Sequence, residues 1–115
     1  MKKIRVAYIG DSPFLHTGFG NVANGIMSRW DMDRFEVHVL GTMHHYIPRD
    51  TAPYETYEPV PHNDPMGFRA SVTFIQRVNP DVLFLIGDPG TLRNRFEGIK
   101  FAGMGKLMPT VTYFP

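Results

Sequence analysis

Apolar positions along the chain fall into short dense runs separated by longer amphipathic stretches. Residues 4–9 read Ile-Arg-Val-Ala-Tyr-Ile, nearly all apolar and rich in branched and aromatic side chains, and Gly10 follows. A continuous run of that kind predicts a parallel strand buried on both faces. From Gly18 to Trp30 the period changes. Phe19, Val22, Ala23, Ile26, Met27 and Trp30 recur at steps of three and one, the stripe of a helix docked by one face. Thr17 is positioned to cap its first turn. Gly18, Gly20 and Gly25 each weaken intrinsic helicity by about 1 kcal/mol relative to Ala when interior, so this helix depends on packing. Phe35-Glu-Val-His-Val-Leu40 is a second strand. The interval between the two runs has the length of a β–α–β crossover.

The stretch 41–67 holds Pro48, Pro53, Pro59, Pro61 and Pro65, which excludes a long helix. Tyr54 to Val60 supplies a short third strand at most, and a stretch this irregular suits a binding loop or disorder. Gly67 to Val78 is again helical, with Phe68, Val72, Ile75 and Val78 on one face, and Asn79-Pro80-Asp81 ends it. Val82-Leu-Phe-Leu-Ile86 is the most strongly apolar run and predicts a central strand. Gly87-Asp88-Pro89-Gly90 turns the chain into a third helix from about Leu92. Leu92, Phe96 and Ile99 form its inner side, and Arg93, Arg95 and Lys100 its surface. Pro109 precedes a last strand, Thr110 to Phe114.

Strands alternating with helices at this spacing predict an α/β domain over residues 1–115. Its expected form is a Rossmann-like open parallel sheet of order 3-2-1-4-5. The crevice then lies beyond the C-terminal ends of the first and fourth strands, where Gly10-Asp11-Ser12 and Gly87-Asp88-Pro89 stand.

Composition narrows the partners. The 115 residues carry Lys+Arg 12 against Asp+Glu 11, with the charges scattered, so there is no electrostatic case for nucleic acid. With Cys 0, disulfides and thiolate chemistry are excluded. No apolar run reaches the roughly 20 residues of a membrane span, and a cytoplasmic location is the expectation. His44, His45 and His62 lack any metal-ligand spacing, so no metal is expected.

The chemistry concentrates in His16-Thr-Gly-Phe-Gly-Asn21, between the first strand and the first helix. Gly18 and Gly20 have no Cβ to keep a ligand from the backbone, and a helix N-terminus there favours phosphate or diphosphate. The same glycines read equally as serving close packing and turn geometry. The spacing matches neither the dinucleotide fingerprint nor a Gly-Lys-Ser/Thr phosphate loop. Asp11 reads as a crevice residue or as turn chemistry. Asp88 reads as a general base or as the cap of the following helix. Asn21 reads as a first-turn residue able to add one amide contact.

The block Ile4–Trp30, with Asp11-Ser-Pro and Thr17-Gly-Phe-Gly20, resembles the start of a GT-B-type retaining glycosyltransferase of the glycogen-synthase-like class (glycosyl transferases group 1). Asn79-Pro-Asp-Val-Leu-Phe-Leu-Ile-Gly-Asp88 and Thr110–Pro115 are similar to later strands of that family's N-terminal half. The resemblance implies an acceptor-side domain. In it Thr17, Gly18, Phe19, Gly20 and Asn21 approach the diphosphate of a nucleotide-sugar donor. Asp11 and His16 line the cleft, and Asp88 and His16 are the catalytic candidates. Many members place a histidine where this chain has Asp88. The resemblance also implies a separate C-terminal donor domain, so residues 1–115 alone are expected to be a part of the enzyme, inactive by itself. No covalently bound cofactor is expected; the nucleotide sugar is the donor substrate and the acceptor is unspecified. Two other readings stand beside it: a small flavodoxin-like module that binds phosphate or nucleotide without catalysis, and a truncated domain that pairs with another chain or with itself through an open sheet edge.

Overall fold

A computed structural model of the chain describes residues 2–11, 13, 18–42, 55–56, 64, 66–101 and 109–113. Its elements are β1 (Ile4–Asp11), α1 (Gly18–Met27), β2 (Phe35–Thr42), β3 (Glu55–Thr56), α2 (Phe68–Val78), β4 (Val82–Ile86), α3 (Pro89–Phe101) and β5 (Thr110–Tyr113). This is an α/β fold of the Rossmann-like kind, as the alternating pattern predicts. Four full strands, all parallel, lie side by side as β2-β1-β4-β5. Beyond β2, the two-residue β3 pairs parallel through His38↔Glu55 and Val39↔Thr56. The expected five-strand order 3-2-1-4-5 is reduced accordingly. Of the third strand expected over 54–60, only Glu55 and Thr56 are described as strand, and the rest lies outside the described residues. Pro53 and Pro59 bracket those two, and proline has no N–H to give a ladder.

Strand parity divides the core into two layers. Ala7 and Ile9 of β1, Leu40 of β2 and Leu83 and Leu85 of β4 meet Phe74, Ile75 and Val78 of α2 and Ile99 of α3. Tyr8, Val37, Val39 and Ile86 point the other way, against Ala23 and Met27 of α1. Helices therefore cover both faces of a sheet whose central strands read as continuous apolar runs, as parallel sheets require. The α1 stripe behaves as expected: Phe19, Val22, Ile26 and Trp30 pack around the buried Ala23 and Met27. Trp30 meets Phe35 and Phe84 edge to face, at 4.9 and 6.0 Å between ring centroids.

Three local expectations need correction. In α2 the buried positions are Ser71, Phe74, Ile75 and Val78, and Phe68 is exposed at the helix start. The helix α3 starts at Pro89 rather than near Leu92. Asp88 caps it and Pro89 takes the first helical position, where its missing N–H costs nothing. Finally, the inner side of α3 runs through Leu92, Arg95 and Ile99, while Phe96 is 41% exposed. Both 92-95-99 and 92-96-99 fit a helical face, and choosing the apolar residue selected the wrong one. Among the described residues no helix is long and apolar enough to cross a membrane.

Candidate functional site

All the full strands are parallel, so their C-terminal ends share one edge. β1 continues into α1 on one face of the sheet, and β4 continues into α3 on the other. The neighbouring ends of β1 and β4 therefore form a topological switch point, where the departing chains leave a crevice. Four groups stand around it: the Gly10–Asp11 end of β1, the first turn of α1, the Gly87–Asp88 cap of α3, and Arg95 about two turns further along α3.

The end of β1 is tightly built. Tyr8 is fully buried, and its hydroxyl donates to the carbonyl oxygen of Asp11 at 2.8 Å. Gly10 sits between this phenol and β4. A Cβ there would stand 2.5 Å from the Tyr8 hydroxyl and 2.8 Å from the Ile86 carbonyl oxygen, so no larger residue fits without moving backbone. This close approach carries β1 two residues beyond its expected end and brings Asp11 into register with Thr42 of β2. Asp11 shares strand parity with Ile9, which places its side chain on the α2/α3 side. It is half-buried. Burial pushes its carboxyl above the ordinary range, the Arg95 charge pulls it back, and Asp88 adds a further upward push.

Arg95 overturns its expected place on the α3 surface. It is 2% exposed. One guanidinium nitrogen donates to Ser71 Oγ at 3.2 Å, and the guanidinium lies 5.0 Å from the centre of the Phe68 ring. Burial lowers its pKa, while Tyr8, Asp11 and Asp64 act in the opposite direction. Ser71 in turn donates to the Gly67 carbonyl oxygen. Asp64 closes the first turn of α2, accepting from the N–H groups of Phe68, Arg69 and Ala70 at 3.1 Å each. A buried cation thus ties α3 to the start of α2 below the end of β1.

Asp88 is exposed and fully engaged. One oxygen accepts from the Thr91 N–H and the other from the Thr91 hydroxyl, both at 2.9 Å. The backbone bond first, then the hydroxyl, hold its carboxyl below the ordinary range. Of the two readings for Asp88, the cap is the one with geometry behind it.

Gly18, Phe19, Gly20 and Asn21 form the first turn of α1, the predicted phosphate-facing position. Gly20 is buried, Phe19 half-buried, and Gly18 and Asn21 exposed. Among the described residues nothing lies within 4 Å of where a Gly18 Cβ would stand, and Gly67 is the glycine with positive φ. Among the described residues, then, no packing contact accounts for glycine at 18. His16, Thr17, His44, His45 and His62 lie outside the described residues. Among the described residues, no three His, Asp or Glu side chains gather as a metal site.

Arg95 and Gly10 are the residues that sequence reasoning missed. An arginine at a helix position otherwise spaced as core was the available signal for the first. For the second it was a glycine following a wholly apolar strand. Compared with known families and curated proteins, the chain matches no family model and no curated protein.

Proposed function

We propose that this chain is the acceptor-side part of a nucleotide-sugar-dependent glycosyltransferase of the GT-B kind, whose donor-binding domain lies elsewhere. The observation that carries the reading is the first turn of α1. It follows the C-terminal end of β1, beside the β1/β4 switch point, with an exposed Gly18 whose missing Cβ would meet none of the described residues. A helix N-terminus so placed offers backbone N–H groups and a partial positive charge to a diphosphate, and the missing Cβ lets it come close. The family likeness in Ile4–Trp30 points the same way. In this reading Gly18, Phe19, Gly20 and Asn21 meet the diphosphate, and Asp11 and His16 line the acceptor side. Asp88 orders α3 by capping it. Proton transfer at the reacting hydroxyl falls more naturally to Asp11, because a raised carboxyl is closer to the working pH than one held by Thr91.

The test is titration of the protein, in the longest form its gene encodes, with UDP-, ADP- and GDP-sugars. The expected outcome is binding that shifts the amide signals of Gly18–Asn21, with transfer or slow hydrolysis of one donor. Neither binding nor hydrolysis with any of them would sink the reading.

One observation favours a second reading, pairing with another chain. Val111 and Tyr113 of β5 are 49% and 43% exposed at the sheet margin. A monomer of unchanged mass by light scattering up to high concentration removes self-pairing.

A further inference from the structure

Tyr8 is fully buried, and a phenylalanine would fill the same place with no polar group to satisfy. Its hydroxyl reaches along its own strand and donates to the Asp11 carbonyl oxygen at 2.8 Å. To reach that far, the phenol lies over position 10. A Cβ on Gly10 would stand 2.5 Å from the hydroxyl oxygen and 2.9 Å from the ring carbon that bears it. Gly10 lies inside β1, where glycine weakens a strand unless another group must come close, and here that group is the phenol. The bond to Asp11 therefore carries two costs, a buried hydroxyl and a strand glycine. The ring belongs to the core on the α1 side. It clusters with Ala23 and Met27, and Phe19 of the first helical turn packs against that cluster. Tyr8 thus links the end of β1, through its hydroxyl, to the core on which α1 is seated.

We propose that Tyr8 is a positioning residue of the switch point: by holding the Asp11 carbonyl from the core beneath α1, it sets the end of β1 relative to the Gly18–Asn21 turn. This rests on the reading of that turn as the diphosphate-facing wall of the proposed transferase, and it names what fixes the wall. The ladder pairing shows why such a hold matters. On the β4 side, the register of β1 ends at Ile9↔Leu85. Gly10 and Asp11 run on past it, paired to Gly41 and Thr42 of β2. The Tyr8 bond adds a hold from the α1 face, the side on which the helix N-terminus stands. Backbone donors fixed in advance take up an anion without the cost of ordering them first. Tyr8 itself is sealed in the core, so its part is to position the wall and not to touch a ligand.

The test is Tyr8→Phe, which keeps the ring and its packing and removes only the hydroxyl. It is made in the longest form of the protein that its gene encodes, and two things are measured: the NMR signals of the free protein and its affinity for UDP. In Tyr8→Phe the Asp11 carbonyl carbon signal moves, the Gly18–Asn21 amide signals move with it, and UDP binding weakens severalfold. Ile75→Val, a buried truncation on the α2 side, controls for lost stability alone. It leaves the Gly18–Asn21 signals and the UDP affinity where they were. Gly18–Asn21 signals that stay in place in Tyr8→Phe overturn the proposal. So does UDP binding of equal strength with and without the hydroxyl, and so does an Ile75→Val effect as large as that of Tyr8→Phe. If UDP and the nucleotide sugars bind neither protein while the Gly18–Asn21 signals still move in Tyr8→Phe, the transferase reading falls and the positioning of the turn by Tyr8 stands.

Discussion

The two faces of the sheet are built differently. On one, α2 and α3 lie side by side over β1, β2 and β4, and Phe74, Leu83 and Leu85 between them are fully or almost fully buried. On the other, among the described residues, α1 is the one helix over Tyr8, Val37, Val39 and Ile86, joined by Trp30 and Met32 of the turn that follows it. β5 aligns Val111 with Phe84 and Tyr113 with Ile86, so these two side chains lie on the α1 side, where both are exposed. The polar chemistry is divided in the same way. The closed side holds the Arg95–Ser71 pair, Asp64 and the Asp11 side chain. The open side offers a glycine-bearing helix terminus. A ligand at the switch point would meet a fixed charge from one layer and backbone donors from the other. The closed layer supplies rigidity, and the open one supplies access.

The sharpest way to break this comparison is to cut into each layer. Phe74→Ala removes a fully buried ring from the closed side and should cost about 3–5 kcal/mol in urea unfolding. Tyr113→Thr on the open side should change stability by no more than about 0.5 kcal/mol. Comparable losses at both positions would show that the open side is covered in solution.

Gly10→Ala is next in size. Its methyl would press on the Tyr8 hydroxyl and the Ile86 carbonyl, and one of these is backbone. Overpacking of this kind costs about 1–3 kcal/mol. Tyr8→Phe in the same background should recover part of the loss by freeing the space of the hydroxyl, which a double-mutant cycle measures. Asp64→Ala follows, at about 0.5–2 kcal/mol for a lost cap, again by urea unfolding.

Most of the framework was legible from the hydrophobic pattern. β1, β2, β4, α1 and α2 fall within a few residues of where their runs and stripes begin, because a doubly covered parallel sheet leaves little freedom in its central strands. The candidate site was legible in part. The Gly18–Asn21 turn and the pairing of Asp11 with Asp88 at neighbouring strand ends follow from alternation and parallel connection alone. Arg95 did not, since its burial depends on Ser71 and Phe68 of α2, which no local window contains. Asp88 left two readings open, because the same carboxylate serves a cap and a base equally well until Thr91 is seen to occupy it.

The pH dependence of stability bears on the crevice side of the comparison. Asp11 binds its proton more tightly folded than unfolded, since its native pKa is raised. Stability from this group is therefore complete below the ordinary carboxylate pKa and is lost as pH rises through the raised native value. Asp88 has the opposite sign: its lowered native pKa supports the fold above the ordinary value, and that support is lost as pH falls. Asp11→Asn should abolish the decline on the alkaline side of the carboxylate range and leave the acid-side loss in place. Urea midpoints measured across the range would read both.

The smallest expected effect sharpens the contrast within one helix. Arg93 and Arg95 stand two residues apart on α3, which turns their side chains to different faces. Arg93 pairs with Glu97 at 3.3 Å one turn on, but its side chain is 78% exposed. Water screens that pair, and fixing two long side chains offsets much of the attraction, so such bridges contribute about 0.3–0.5 kcal/mol. Arg93→Gln should therefore leave the urea midpoint nearly unmoved, and raising the salt should erase what difference there is. Arg95→Gln should be felt well beyond α3, because the same charge in a buried place is shielded from salt and bonds the Ser71 hydroxyl of α2. If the two substitutions were alike in size and in salt dependence, Arg95 would be as solvated as Arg93, and the closed side of the crevice would have to be redrawn as open.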